Sequence, residues 1–381
     1  MEIRELSYFQ QFTCLASECP ETCCRGWIIP LDEEDERRLK AQKGILGLKL
    51  FLATRGWLAN NFNPSSEVCP FLNREGLCSM QLKKGHDILP EACREYPRFY
   101  RNYGLWEEQY IDLSCIAGAR LWFDHYNDLK IIKREGDPVS GKDSTNEDEE
   151  YLLALDHCRE EMISALFGVK TAEDLLAVFS AIDLHAKKLQ ETGLRANGEK
   201  ELLKALATFG QTRESVLQGF TKSNELCQPT SDIKIFPLDA ETIGKIMKTH
   251  LFSERLKTAN PNLHTLCKLY YDYGSRRFER EWTRSALDFL KRNERYVPYY
   301  ASLYAFYLYQ HFLRCYEDYS FIRNVRTGFI HVNMKFLFDV LWERSNGKIT
   351  DEVFVHGLAV YNRRAYFNAQ ILDEMYAALD F

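Results

Sequence analysis

Thiols are the most chemically suggestive side chains in this sequence. Eight of its twelve cysteines, Cys14, Cys19, Cys23, Cys24, Cys69, Cys78, Cys93 and Cys115, fall within the first 115 of 381 residues. An even spread would put only about four there. Four are crowded into Cys14-x4-Cys19-x3-Cys23-Cys24. Thiolate-only donor sets suit zinc or iron–sulfur centres and disfavour Mg²⁺ and Ca²⁺. Eight such ligands divide into two four-ligand sites or one larger cluster. Adjacent residues project in different directions, so Cys23 and Cys24 are expected to serve different metals. A four-thiolate iron–sulfur centre carries excess negative charge, and Arg25, Arg94, Arg98 and Arg101 lie close enough in sequence to offset it. The competing reading is a reduced, metal-free cysteine core, which would leave many neighbouring thiols open to oxidation. Cys158, Cys227, Cys267 and Cys315 stand alone and read as small buried residues.

Local sequence predicts how the eight are positioned. Cys69 and Cys78 flank a turn, Asn73-Arg74-Glu75-Gly76, which predicts a short hairpin with both thiols on one side. Cys93 follows Pro90 at a helix start. Cys115 follows a hairpin expected around Asn102-Tyr103-Gly104. A helix starts after Asp32, a good N-cap with acidic residues behind it. Residues 116–132 read as a helix with Leu121, Trp122, Tyr126 and Leu129 on one face. Together these make a cysteine-rich metal-binding domain over residues 1–132 and a polar linker or loop over 133–150. An α-helical domain follows over 151–381. In it Thr171 caps a helix, and further helices are expected at 198–218, 240–256, 262–292, 296–318, 329–345 and 351–379, with Pro261 and Pro298 near helix starts. Strand-like alternation is scarce and a parallel sheet is not expected. The fold class is mainly α, with a small metal-binding domain containing short β-hairpins.

Composition limits the function. Hydrophobic residues make up 45% and charged residues 27%, as in ordinary globular chains. The net charge of −6 argues against a generic nucleic-acid coat, whose binding rests on neutralising phosphates. No run of about 18 apolar residues predicts a membrane span. The opening Met1-Glu2-Ile3-Arg4-Glu5-Leu6 does not look like a signal peptide. A cytoplasmic location is therefore expected, where thiols stay reduced and disulfides are rare.

The segment from Phe12 to Trp27, FTCLASECPETCCRGW, resembles the opening of the flagellin lysine-N-methylase family, which belongs to a wider group of cysteine-cluster proteins with a zinc- or iron-chelating domain. The resemblance continues through Cys69-Pro70-Phe71-Leu72, Leu77-Cys78-Ser79-Met80, Leu89 to Arg98 and Leu113-Ser114-Cys115, so it covers residues 8–115 with all eight cysteines. It implies an S-adenosylmethionine-dependent methyltransferase with flagellin as protein substrate. The wider group also includes small proteins of undefined role, so a non-enzymatic metal-binding or electron-transfer protein is the rival expectation.

Methyl transfer to lysine is redox-neutral and needs a neutral amine. With a pKa of about 10.4, holding lysine neutral at pH 7 costs roughly 4.6 kcal/mol. Burial or a nearby base must lower that cost. Aromatic faces favour the sulfonium donor. Tyr296, Tyr299, Tyr300, Tyr304, Tyr307 and Tyr309 could line such a channel, or form an aromatic core stripe. No Gly-x-Gly-x-x-Gly loop marks a doubly wound cofactor fold, and Cys24 directly after Cys23 breaks the radical-type Cys-x3-Cys-x2-Cys spacing. No donor pocket or catalytic base is assigned. His86 and His125 read as surface or packing residues, Arg276, Arg277, Arg280 and Arg284 as a solvated basic face, and the Glu147–Glu150 run as a solubilising loop.

Overall fold

The computed structural model describes residues 1–25, 29–62, 68–139, 148–194, 198–222, 242–245, 275–366 and 369–378. The chain divides into two units. One comprises Met1–Trp122, Lys130–Asp143 and Leu358–Arg364; the other comprises Phe123–Leu129, Ser144–Gly357 and Ala365–Phe381.

The first unit holds a four-stranded sheet of β1 (Glu2–Leu6), β4 (Arg98–Asn102), β5 (Trp106–Ile111) and β6 (Ile131–Glu135), in the order β4-β5-β1-β6. The β4–β5 hairpin turns where its sequence predicted, with Gly104 at φ 79° and Tyr103 N–H donating to Trp106 O. β1 runs parallel to β5 and antiparallel to β6. The sheet is therefore mixed, with one parallel pairing among antiparallel ones. β5 lacks polar–apolar alternation because its consecutive polar residues Glu107, Glu108 and Gln109 are all buried and hydrogen-bonded, as is Glu5 of the neighbouring β1. Glu107 accepts from Gln109 Nε2 (2.8 Å) and Val139 N–H (3.0 Å), Glu108 accepts from Trp106 Nε1, and Glu5 pairs with Arg134. The expected helix over 116–132 is also corrected. Helix α5 (Ile116–His125) ends in a turn at Asn127-Asp128, and the β-branched Ile131-Ile132 pair joins the sheet as β6. Part of the expected 133–150 linker is thus strand, and residues 140–147 lie outside the described residues.

The first unit also holds a separate small core. It joins α1 (Glu33–Lys40), α2 (Gly44–Ala53), α3 (Ser79–Lys84), α4 (Glu91–Glu95) and the two-residue strands β2 (Ile29–Pro30) and β3 (Asn61–Phe62). Leu31, Leu39, Leu50, Phe62, Phe71, Met80 and Leu89 fill it, and Cys69, Cys78 and Cys93 pack against it. Asp32 caps α1 as expected, accepting from Asp35 N–H at 2.6 Å.

The second unit is helical: α6 (Glu149–Phe167), α7 (Ala172–Gly193), α8 (Gly198–Leu206), α9 (Phe209–Lys222), α10 (Ser275–Arg292), α11 (Val297–His311), α12 (Cys315–Asp318), α13 (Phe321–Asn346), α14 (Asp351–Tyr361) and α15 (Ala369–Ala378), with a π-helical turn over Asn362–Tyr366. The last residues of α14 are counted with the first unit. Thr171 and Asp174 form a full capping box on α7. Asp148, inside the acidic run read as a loop, caps α6 through Tyr151 N–H. The expected 198–218 helix breaks at Thr208, whose hydroxyl takes the Ala205 carbonyl. Helix α13 begins at Phe321, eight residues before the expected 329. Of the expected 240–256 helix, only 242–245 is described. α11, with Pro298 in its first turn, is apolar on every side and packs against α6 and α13. Cys158 and Cys315 are buried as expected, while Cys227 and Cys267 lie outside the described residues.

Candidate metal centre

The cysteines are placed by short backbone devices. Cys69 N–H donates to Cys24 O at 2.8 Å, and Arg25 bridges Val68, so the two segments lie side by side. The Cys69–Cys78 loop closes as predicted. Leu72 bridges Cys78, Asn73 Oδ1 accepts from Glu75 and Leu77 N–H, and Gly76 takes φ 80°. Gly suits that left-handed corner because it has no Cβ. Cys93 sits in α4, whose first N–H, at Glu91, donates to the Asp35 carboxylate at 3.1 Å. Arg38 completes that anchor, pairing with Asp35 and donating to Leu89 O at 2.9 Å.

These devices bring five thiols together. Cys23, Cys24, Cys69, Cys78 and Cys93 line one cavity of about 70 Å³, with Ile29, Phe62, Phe71, Met80 and Tyr96 among its walls. Hydrogen bonding to Cys24 pushes the Cys23 thiol far above its ordinary range. Cys24 sits at about 12. Its bond with Cys23 lowers it, and the bond with Cys69, burial and the neighbouring thiols outweigh that effect. Cys69 is lowered, first by its bond with Cys24. Burial, then the charges of Cys23, Cys24 and Cys78, push Cys93 up. These thiols cannot ionise together without nearby positive charge to offset them.

Cys14, Cys19 and Cys115 form a second neighbourhood. Cys19 is raised by burial and also feels Cys23 and Cys14; Cys115 is pushed up to about 12, first by burial and in part by Cys19. Cys23 therefore faces both groups. Cys14 and Cys23 are exposed, Cys115 is buried, and the other five are half-buried. Among the described residues, no three Cys, His, Asp or Glu side chains already stand as a coordinating array. As a donor set the thiols still fit soft metal chemistry, being gathered, sulfur-only and partly shielded from water.

The four arginines singled out in the sequence each make a local contact in the fold. Arg94 donates to Leu89 O, Arg98 to Phe12 O, and Arg101 lies over Tyr103. Arg25 takes part in the backbone bridge to Val68. Arg363, 248 residues beyond Cys115, supplies positive charge that offsets part of the upward shift of Cys19, Cys23 and Cys115. Its Nε and Nη2 donate to Ser114 O at 3.2 and 2.8 Å, and Nη1 to Thr22 O at 3.1 Å. It thus clasps the residues immediately before Cys115 and Cys23.

The other expected residues lie elsewhere. All six tyrosines from Tyr296 to Tyr309 are buried in the helical core, which corrects the channel reading in favour of the core stripe. Tyr300 donates to Asp339 Oδ2 at 2.9 Å, Tyr304 stacks on Phe329, and Tyr307 lies against His331. His86 is exposed, and His125 pairs with Asp128. Arg284 is exposed beside Asp288, while the Arg276, Arg277 and Arg280 side chains lie outside the described residues.

Three curated proteins are similar to part of this chain. A flagellar biosynthetic protein, FliU, of Salmonella muenchen is 26% identical over 121 residues, which is 30% of this chain and 72% of the relative. Lysine-N-methylases of Salmonella typhimurium and Salmonella choleraesuis are 26% identical over 121 residues, 30% of either chain. This chain resembles the lysine-N-methylases. The resemblance spans 30% of those enzymes' length, so most of each lysine-N-methylase has no counterpart in the match. No family model matches the sequence, and no solved structure matches it significantly.

Proposed function

We propose that this protein is a protein-lysine N-methyltransferase that modifies flagellin with S-adenosylmethionine as methyl donor, and that its eight amino-terminal cysteines hold an iron–sulfur or zinc centre. The observation that carries the proposal is the gathering of Cys23, Cys24, Cys69, Cys78 and Cys93 around one cavity, in a chain similar to lysine-N-methylases and a flagellar biosynthetic protein. We assign Cys24, Cys69, Cys78 and Cys93 to one thiolate set and Cys14, Cys19, Cys23 and Cys115 to the other. Bound metal would supply the positive charge that lets crowded thiols stay ionised, and would tie together loops that bury little apolar surface of their own. Among this chain's residues, Asp35 holds the start of the Cys93 helix and Arg363 holds the two segments that lead into Cys23 and Cys115.

The limited span of the match favours one other reading: a metal-binding or electron-transfer protein without transferase activity. Anaerobically purified protein, incubated with flagellin and methyl-labelled S-adenosylmethionine, separates the two. Label in flagellin lysine supports the transferase. Loaded metal without any label in lysine overturns it in favour of the binding protein. Metal analysis with a visible spectrum distinguishes the centres, since broad absorbance near roughly 400 nm accompanies iron–sulfide clusters and zinc gives none.

A further inference from the structure

Helix α2 reads GILGLKLFLA, apolar nearly all round, yet only one face is buried. Successive residues step about 100° around the axis, so Leu46, Leu50 and Ala53 share the side that enters the small core. The opposite arc carries Ile45, Leu48, Phe51 and Leu52, which are 84, 61, 47 and 67% exposed. An all-apolar helix is normally enclosed on every side, and a continuous exposed apolar face marks an interaction surface. The chain then passes through three consecutive left-handed residues, Arg55, Gly56 and Trp57 at φ 52, 73 and 65°. Arg55 and Trp57 gain no glycine freedom there, and the turn leaves Leu58 projecting at 91% exposure.

Charge indicates what covers this face. From Arg37 through Ser66 the sequence holds six basic residues and no acidic one, in a chain whose net charge is −6. Lys43 and Lys49 are exposed beside the aliphatic face, and Arg55 is exposed in the turn. A second copy is a poor occupant: a twofold contact would set Lys43 and Lys49 of each copy near those of the other. An exposed aliphatic face on a segment that carries basic and no acidic residues matches the interfacial helices of peripheral membrane proteins, whose apolar face enters the headgroup boundary while basic residues meet anionic lipid. We infer that this α2 ridge, with Leu58 beyond it, docks the protein peripherally on a bilayer carrying anionic headgroups. Among the described residues no helix is long and apolar enough to cross a membrane.

Sedimentation of the full chain with vesicles tests the inference. One set is phosphatidylcholine alone; the other includes roughly 30% phosphatidylglycerol. Binding to the anionic vesicles should be about tenfold tighter or more, and should weaken with added salt. Replacing Ile45, Leu48, Leu52 and Leu58 together by Ser should abolish binding while leaving thermal unfolding unchanged, because none of the four fills the core. The charge variant Lys43→Glu with Lys49→Glu should lose anionic binding by a similar factor, and it keeps the apolar residues should the first variant fold poorly. Failure to bind anionic vesicles overturns the inference, as does binding that both variants retain. A concentration-dependent dimer in light scattering that the Ser variant abolishes, without vesicle binding, would reassign the ridge to self-association.

Discussion

Arg363→Met is the sharpest test of how the thiols are held. The wild-type guanidinium makes three N–H contacts to two carbonyls, Ser114 O and Thr22 O, and lies 3.7 Å from Glu21. Methionine fills similar space and donates nothing. Each acceptor stranded without a partner costs about 1–3 kcal/mol, so losing two costs about 2–6 kcal/mol. The Glu21 pair is partly exposed and contributes no more than about 1 kcal/mol. Lysine keeps the charge but has no planar fork to span both carbonyls, so Arg363→Lys should recover only part of the loss. Denaturant unfolding measures that ladder of wild type, Lys and Met. A second readout separates anchoring from general stability. Thr22 and Ser114 precede Cys23 and Cys115, so the Cys14, Cys19, Cys23 and Cys115 set should lose its metal first and bound metal should fall by about half. Unchanged stability and full metal content in Arg363→Met would refute the clasp. Equal metal loss from both sets, at any stability, would refute the two-set assignment.

Further predictions rest on other contacts. Cys24→Ala or Cys93→Ala should each lower the melting temperature of the first unit strongly and reduce bound metal, since metal binding is folding free energy in such modules; unchanged melting and metal content would remove the residue from the ligand set. A Cβ at Gly328 would lie 2.7 Å from Tyr304 Cε2 and 3.1 Å from Tyr307 Cβ. Gly328→Ala should therefore cost up to about 2 kcal/mol, as overpacking of about 1–3 kcal/mol is offset by a helix-propensity gain of about 1. Gly219→Ala, with nothing within 4 Å, should instead stabilise by about 0.5–1 kcal/mol in the same denaturation assay. Burial, then Lys188, depresses His185 to about 4. A depressed histidine contributes stability above its unfolded pKa of about 6.5 that is lost as pH falls, so about 2 kcal/mol should disappear between roughly pH 8 and pH 5, and His185→Gln should flatten that slope. Lys335→Met should cost about 3–5 kcal/mol by leaving Asp339 buried and unpaired, whereas adding Asp339→Leu should return much of it; equal losses in both variants would contradict the pairing.

What the sequence revealed tracks how far apart the interacting residues are. The Asp32 cap, the Thr171–Asp174 box and the turns at Asn73–Gly76 and Asn102–Gly104 each form within a few neighbouring residues, and all could be read directly. The sheet was hidden because its signature is normally alternation. In β5, Glu107, Glu108 and Gln109 run consecutively, and their polarity is satisfied by partners such as Val139 N–H that no local window contains. The helix expected to run to 132 failed for a related reason: Ile131 and Ile132 suit a helix face as well as a strand, and only pairing with β1 decides between them. The tyrosine stripe was legible as a buried helix, and its packing against α6 and α13 makes it core. Arg363 left no local trace, since its carbonyl partners lie 249 and 341 residues away in sequence.

The adjacency of Cys23 and Cys24 has an energetic consequence. Cys24 is hydrogen-bonded to Cys69 and shares its cavity with Cys78 and Cys93, whereas Cys23 also feels Cys19 and, through Thr22, adjoins the Arg363 clasp. One peptide bond therefore joins the two thiolate neighbourhoods. A planar peptide leaves only two soft dihedrals on each side, so ordering Cys24 in one set removes most of the freedom Cys23 has toward the other. The ordering entropy, about 1–2 kcal/mol per residue, is spent once for both. Filling one set should thus tighten the other without any direct contact between the bound ions, and the coupling is reciprocal. Separating the pair, by inserting a glycine between Cys23 and Cys24, keeps every thiol but removes the shared restraint. If the sets are coupled through this bond, the insertion should turn steep, joint metal uptake into two independent phases; one unchanged joint phase would mean that the coupling runs elsewhere.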